Sequence, residues 1–330
     1  MSILRLSCDF SPANSEESVL SFPCEPLRAD ADRVVISVNP MADAGSVQDR
    51  VDQLAEMLRQ RGVTPEIDTS LSAVAEAAGR WHAERRLRAL VGVGGDGTAA
   101  ELANRIPPGL PLAMLPAGNE NLLARYVGWA AAPEELCGTL FDGQIARLDA
   151  GRANGRLFLL MAGCGFDAEV VRRLHARRCG PVRNRDYFKP ILHSIRTYKY
   201  PPLEFAYTST DPSGGHRVTF TNAGRWLFAF NLPCYGGGLR IAPHAHPSDG
   251  RLDVCVFRRG GLWHGLRYAG GILLGTHHRM GDVLMQRVPS LTVSAAAEVP
   301  YQLDGDPGGL LPVRLETVAQ HLALVVPRRT

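Results

Sequence analysis

Five consecutive residues at positions 94–98, with the sequence GGDGT, carry the strongest chemical signal in the chain. They follow an apolar run typical of a buried strand and begin a segment with helical spacing. Glycine lets the backbone approach a ligand closely, and a helix N-terminus presents unpaired N–H groups to phosphate. Asp96 can reach a Mg²⁺ ion directly or through water. The alternative is a tight turn capped by Thr98, but three glycines around an acid exceed what a turn requires.

The same glycines also fit a dinucleotide-binding pattern. Gly92, Gly94 and Gly97 spell GxGxxG, and Glu120 follows at about the distance of the acidic residue in that pattern. Two features count against this pattern. The predicted helix is short, because two prolines at 107–108 end it. The strand–turn–helix unit is also the third along the predicted α/β part of the chain rather than the first. An NAD(P)-dependent oxidoreductase is therefore the alternative function. No GxxxxGK[ST] occurs, which excludes a Walker P-loop.

A second glycine turn follows the next apolar run. Residues 116–125, PAGNENLLAR, place Gly118 and Asn119 between a predicted strand and a predicted helix. Turns of this kind line up at one edge of a parallel sheet, where ligands bind. We therefore expect Asn39, Thr69 and both glycine turns to converge on one crevice. Together these features predict a nucleotide-binding site there.

The elements that position these turns change character along the chain. Residues 1–32 lack periodicity and are predicted to be a poorly ordered extension. Residues 33–143 alternate apolar strands with amphipathic helices, which predicts an α/β domain with a mostly parallel sheet. From 144 to 330 short strands dominate, beginning with a hairpin at Asn154-Gly155, so this part is predicted to be a mainly antiparallel β-sandwich.

The composition limits the remaining function classes. A formal net charge of +3 is too small to argue for nucleic acid binding. The seven cysteines are scattered, without CxxC spacing, which predicts reduced thiols in a cytoplasmic protein rather than disulfides or a zinc site. No signal peptide or membrane-spanning segment is expected, so contact with a membrane would be made from outside.

Motifs along most of the chain resemble one family. The turn at Asn39-Pro40, GGDGT and PAGNENLLAR resemble the catalytic domain of diacylglycerol kinases, sphingosine kinases and bacterial lipid kinases. The resemblance continues in GGG at 236–238, IAP at 241–243, DGRLDV at 249–254 and LDGD at 303–306. GGDGT alone also occurs in NAD kinases, whereas PAGNENLLAR and DGRLDV separate the lipid kinases from them.

The resemblance implies a three-layer α/β domain followed by a β-sandwich, and an ATP-dependent kinase that phosphorylates a lipid hydroxyl. It implies Mg²⁺ as the cation that carries the phosphates, and a second Mg²⁺ near the loop of Asp249, including His246 and Arg251. The carboxylate of the late motif, Asp306, would be the base, with Asp96 as a second catalytic residue. The residues that would hold ATP are Asn39, Thr69, Gly94, Gly95, Asp96, Gly97, Thr98, Gly118 and Asn119.

Two residues depart from the family pattern. Asn119 stands where the family has threonine, and it still offers a donor and an acceptor. Asp306 stands where the family has glutamate, and its side chain is one methylene shorter, so backbone compensation or a water is needed for it to reach a hydroxyl proton. Asp304 is a neighbouring alternative carboxylate. A catalytically silent relative that binds nucleotide or lipid is therefore a further alternative.

A basic segment between Arg172 and Lys199 contains nine Lys or Arg and one acid, Asp186, with aromatic and apolar residues among them. This mixture suits anionic lipid, although a solvated basic face explains it equally well. We expect the lipid substrate to be met at a membrane surface, with the protein cytoplasmic or peripheral at the inner face. The resemblance also allows a homodimer, and no nucleic acid partner is expected.

Overall fold

In the computed structural model the described residues are 23–39, 44–176, 188–210 and 217–328. The first half alternates strands and helices, as the periodicity predicts. Its strands are β1 (Cys24–Pro26), β2 (Arg33–Val38), β3 (Thr64–Asp68), β4 (Leu87–Gly94) and β5 (Pro111–Pro116). Its helices are α1 (Ala44–Gln60), α2 (Leu71–Ala83), α3 (Asp96–Ala103), α4 (Leu122–Val127) and α5 (Pro133–Asp142).

The second half consists mainly of strands, with three helices. The strands are β6 (Gln144–Ala153), β7 (Arg156–Phe158), β8 (Met161–Gly165), β9 (Leu203–Thr210), β10 (Arg217–Gly224), β11 (Trp226–Phe230), β12 (Leu252–Phe257), β13 (Val283–Val288), β14 (Ser290–Ser294), β15 (Pro300–Leu303), β16 (Asp306–Leu310) and β17 (Val313–Val326). The helices are α6 (Phe166–His175), α7 (Phe188–Thr197) and α8 (Leu262–Leu273).

Two sheets organise the described part of the chain. The larger one runs β10-β9-β14-β17-β5-β4-β2-β3, with β1, β6 and β7 attached beside β17. Its strands β3, β2, β4, β5 and β17 pair in parallel, and its other pairs are antiparallel. The smaller sheet, β13-β12-β11-β8-β15-β16, is antiparallel. The prediction of an α/β domain followed by a β-sandwich is confirmed.

The last strand joins the two parts. β17 pairs antiparallel with β14 and β6, and then runs parallel to β5 through Ala323 and Leu324. The parallel sheet is thus completed by the end of the chain, which no local pattern indicates. At the other end, residues 24–26 were expected in a poorly ordered extension. They instead form β1, because their backbone pairs with β6 from Cys24↔Ala146 to Pro26↔Gln144.

Side-chain alternation on β11 shows how the layers pack. Trp226, Phe228 and Phe230 enter one apolar core, whereas Leu227 and Ala229 enter the second core between the two sheets. The hairpin predicted at Asn154-Gly155 is present, with φ of 47° and 96° and with Ala153 opposite Arg156.

No helix in the described ranges is long and apolar enough to cross a bilayer.

Candidate active site

The two glycine turns meet backbone to backbone at the carboxyl edge of the parallel sheet. A Cβ on Gly118 would lie 2.7 Å from the Cα of Gly95, and a Cβ on Gly95 would lie 3.2 Å from the Cα of Gly118. Gly94 is equally constrained, since its Cβ would lie 2.2 Å from the Thr98 hydroxyl oxygen. These glycines are required by close approach, and the two glycine turns meet as the sequence predicts, whereas the convergence of Thr69 on them stays a prediction.

The helix after the first glycine turn begins before Thr98, the residue considered as its cap. α3 starts at Asp96 with Gly95 as its N-cap, and no side chain caps it. Thr98 is therefore inside the helix, and its hydroxyl accepts a hydrogen bond from the Asn39 side-chain amide at 3.1 Å. The interpretation of Thr98 as a helix cap is wrong. The first turn of α3 contains the exposed Gly97, and an uncapped helix N-terminus of this kind is suited to an anion.

Asp96 has a structural role that the motif does not reveal. Its two carboxylate oxygens accept hydrogen bonds from the backbone N–H groups of Leu122 and Leu123, both at 2.9 Å. They cap α4, whose preceding residue, Asn121, has a left-handed φ of 47° and bonds both backbone groups of Gly118. Burial raises the pKa of Asp96, and the two N–H donors oppose that rise. Asn121 was not identified from the sequence, although its position in the turn could have indicated it.

Asp306 lies next to the first glycine turn. One of its carboxylate oxygens is 3.8 Å from the position of a Cβ on Gly97, and the side chain is 35 % exposed. The turn before it, Asp304-Gly305, has φ of 52° and 88° and places Asp306 first in β16, opposite Leu303. The LDGD motif at 303–306 therefore brings a solvent-accessible carboxylate from the second half of the chain to the first glycine turn.

Asp304, the alternative carboxylate, is used to hold this turn. Its oxygens accept hydrogen bonds from the backbone N–H groups of Leu159, Leu160 and Met161 at 2.6, 2.8 and 2.9 Å. Burial raises its pKa to about 6, and the negative charge of Asp96 adds to the rise. Both oxygens of Asp304 are thus occupied by backbone donors, whereas the Asp306 side chain is partly exposed.

Four further side chains support the Asp306 turn and were not identified from the sequence. Gln302 accepts a hydrogen bond from the Gly305 N–H at 2.8 Å and donates one to Asp167 at 2.8 Å. The buried Asp167 also accepts from the Tyr235 hydroxyl, next to the GGG segment. His175 Nε2 lies 3.4 Å from an Asp306 oxygen and 3.2 Å from the Gly305 carbonyl oxygen. A local sequence pattern does not show that these separated positions meet.

The other predicted site residues lie in two places. Thr69 follows β3 at the same sheet edge and is exposed, as is Asn119 in the second glycine turn. The loop of Asp249 lies elsewhere. The carboxylate of Asp149 in β6 accepts hydrogen bonds from the backbone N–H groups of Gly250, in this loop, and of Gln320 in β17. Gln320 precedes Ala323, which pairs with the first residue of β5, so the loop lies beyond the start of β5. This is the edge opposite the glycine turns.

That loop does not gather metal-binding side chains. Asp249 is ion-paired with Arg287 and accepts from the backbone N–H of Arg251, and His246 is bonded to Ser248. In the described residues no group of three or more His, Cys, Asp or Glu side chains could hold a metal ion. A cation held through backbone oxygens of residues 246–251 stays a prediction. The basic segment at 172–199 lies partly outside the described residues, which omit 177–187.

Two family models match successive parts of the chain. Residues 33–153 match the family model described as diacylglycerol kinase catalytic domain, and residues 161–326 match the one described as YegS C-terminal NAD kinase beta sandwich-like domain. A diacylglycerol kinase of Bacillus subtilis is 24% identical over 307 residues, which are 90% of this chain and 97% of the relative.

A second relative and a solved structure are also similar to this chain over most of its length. A Pseudomonas aeruginosa protein named "Probable lipid kinase YegS-like" is 30% identical over 222 residues, covering 66% of this chain and 70% of the relative. The crystal structure of a diacylglycerol kinase from Bacillus anthracis superimposes with a TM-score of 0.66 at 20% identity, covering 91% of this chain and 98% of that one, and so shares the fold.

Proposed function

The chain belongs to the family that joins a diacylglycerol kinase catalytic domain to a YegS-type C-terminal sandwich, and from that membership we propose that it transfers the γ-phosphate of ATP to a lipid hydroxyl. The observation that carries the proposal is the position of Asp306 beside Gly97. Phosphoryl transfer requires mainly that donor and acceptor be aligned and that charge be neutralised. A carboxylate facing a phosphate-binding turn supplies the alignment.

The nucleotide would bind along the two glycine turns. Gly97 and Gly118 are exposed and carry no side chain, so phosphate oxygens can approach the backbone N–H groups. The N-terminus of α3 adds a positive dipole end at the same place. Asn39 and Asn121 fix the turns, since their amides bond Thr98 and Gly118.

The site also suits a divalent cation that arrives with the nucleotide. Burial and the charge of Glu120 raise the pKa of Asp96, and the charge of Asp96 raises that of Asp304, so carboxylates lie near one another here. Such a site attracts Mg²⁺, whose coordination is usually completed by phosphate oxygens and water. Asp96 would hold it directly or through water, and the bound cation would neutralise the phosphate charge.

Asp306 would accept the proton of the acceptor hydroxyl. Its partial exposure leaves it open to a substrate, whereas Asp304 and Asp167 are held by the fold. His175 would restrain the Asp306 carboxylate by its contact at 3.4 Å. The missing methylene is offset, in this proposal, by the hairpin turn that places Asp306 beside Gly97.

The acceptor class comes from the relatives, which are named diacylglycerol kinase and lipid kinase. Such acceptors lie in bilayers, so we propose that the protein works as a peripheral protein at a membrane surface. The kinase is favoured over the oxidoreductase alternative because Gly92 lies inside β4, before the turn, where its Cβ would lie 2.6 Å from Leu102 and from Met114.

The test is transfer of labelled γ-phosphate from Mg·ATP into a lipid extract by the wild type, Asp306→Ala and Asp306→Glu. We expect label in an organic-soluble product, a loss on the order of 100-fold or more in Asp306→Ala, and recovery in Asp306→Glu. Asp96→Ala is an unsuitable control because it removes the cap of α4. Turnover by Asp306→Ala within a few-fold of the wild type would remove Asp306 from this role. ATP binding without transfer would indicate the silent relative.

A further inference from the structure

Helix α8 carries a set of large apolar side chains that nothing in the described part of the chain covers. Trp263 and Leu274 are each 79 % exposed and Leu273 is 66 % exposed. We call this set the α8 apolar face, and it consists of Leu262, Trp263, Leu266, Leu273 and Leu274. Isolated exposed apolar residues are ordinary, but a contiguous apolar patch on one element marks an interaction site.

α8 carries apolar residues both on its buried side and on the side that faces solvent. At 100° per residue the α8 apolar face occupies an arc of about 120°. The opposite side, which includes Gly265, Tyr268 and Ile272, is buried against the protein. The exposed leucines and Trp263 are therefore not needed to hold α8 in place.

The chain segment that carries this face is rich in arginine. From Arg258 to Gly281 the sequence contains four arginines and no Asp or Glu. Arg258 and Arg279 are exposed at the two ends of the helix segment, and Arg267 flanks the apolar arc. The nearest acid, Asp282, is paired with Arg259 and Arg267. Trp and Leu on one face with Arg at its border is the pattern of a helix that lies in a membrane interface.

The same helical layer ends at the candidate active site. Trp226 of β11 packs against Phe166 of α6 and against Tyr268 of α8, so both helices cover the same face of the smaller sheet. α7 packs between them. α6 lies against β16, which begins with Asp306. In the smaller sheet β12 is four strands from β16, so α8 and Asp306 lie towards opposite ends of this sheet.

We propose that the α8 apolar face inserts into the surface of a bilayer that contains anionic phospholipid, with the arginines at its border on the headgroups. The inference goes beyond the kinase activity, since it concerns binding to a bilayer that takes place without ATP. Charge complementarity decides the partner: a border with four arginines and one acid, Asp282, keeps a net positive charge, so it fits an anionic lipid surface and repels a second copy of itself.

The experiment measures binding of the full chain to vesicles of phosphatidylcholine with and without phosphatidylglycerol, in the absence of ATP. We expect salt-sensitive sedimentation with the anionic vesicles and a blue shift of tryptophan emission. Trp263 is the most exposed tryptophan, whereas Trp129 and Trp226 are buried, so Trp263→Ser should abolish the shift. The double variant Trp263→Ser/Leu274→Ser should bind about tenfold more weakly or worse.

Two further variants separate apolar from charged contributions. Arg258→Gln/Arg279→Gln should weaken binding about fivefold for each charge removed, and only at low salt. Phe220→Ser, at an apolar residue of β10 that is 42 % exposed, is the matched control and should bind like the wild type. Urea unfolding of each variant checks that these exposed substitutions leave the fold intact.

Equal vesicle binding by the wild type and Trp263→Ser/Leu274→Ser would overturn the proposal, as would a wild type that binds no vesicles. Self-association of the wild type without lipid, abolished in the double variant, would also overturn it by assigning the face to a second copy. Transfer to a dispersed short-chain acceptor tests the kinase separately. A double variant that keeps that transfer but loses vesicle binding supports the docking surface, and vesicle binding by a protein without transfer would refute only the kinase proposal.

Discussion

Gly97→Ala should separate the stability of the protein from its activity. Gly97 lies in the first turn of α3, and a Cβ there would meet no atom closer than the Asp306 oxygen at 3.8 Å. An alanine is thus accommodated without strain, and the gain in helix propensity should raise the free energy of unfolding by about 0.5–1 kcal/mol. In a chain of 330 residues this corresponds to a rise of roughly 2 °C in Tm.

The same methyl group would occupy the space between the glycine turn and Asp306. If phosphate binds there, the methyl group displaces it by about 1 Å, and a displacement of that size costs on the order of 100-fold in rate. We therefore expect Gly97→Ala to lower kcat/KM for phosphoryl transfer by about that factor. It should also lower the rise in Tm that Mg·ATP produces in the wild type.

Gly79→Ala provides the matched control. Gly79 lies inside α2, where a Cβ would meet nothing within 4 Å, so alanine should stabilise the protein equally and leave transfer unchanged. Urea unfolding, thermal unfolding with and without Mg·ATP, and the transfer assay together measure both effects. If Gly97→Ala and Gly79→Ala have the same kcat/KM and the same response to Mg·ATP, the phosphate does not bind between Gly97 and Asp306.

Three further predictions concern the frame around this site. Gly118→Ala should lower the free energy of unfolding by about 1–3 kcal/mol in urea, because its Cβ would meet backbone at 2.7 Å; unchanged stability would contradict the close contact of the two turns. Gln302→Leu should reduce kcat more than it raises KM, since it frees the Gly305 N–H, and an effect on KM alone would count against positioning. Asp304 has a pKa raised from 3.8 to about 6, so its contribution to stability, about 3 kcal/mol, is full below about pH 4 and is lost as pH rises through 6. Urea unfolding of Asp304→Asn between pH 4 and 7 should show a flatter profile than the wild type, and an identical profile would assign the titration elsewhere.

Much of the site was predictable because its signals are local. GGDGT and PAGNENLLAR each consist of glycines next to an apolar strand, and sheet geometry then requires such turns to share an edge. The hairpin at Asn154-Gly155 was predictable for the same reason, since positive φ at two adjacent residues favours Asn and Gly. The order of the α/β and β-sandwich parts follows from the change of hydrophobic period along the chain.

The sequence by itself determined the turns, the succession of elements and the family to which the motifs point, since these depend on neighbouring residues. Only the tertiary structure decided which carboxylate faces the nucleotide turn, because Asp304 and Asp306 differ in the backbone donors that Leu159, Leu160 and Met161 supply from far along the chain. It also decided that Asp96 caps α4 and that β17 completes the parallel sheet. The apolar residues of α8 could equally have been core, and packing alone decides which side of a helix is covered.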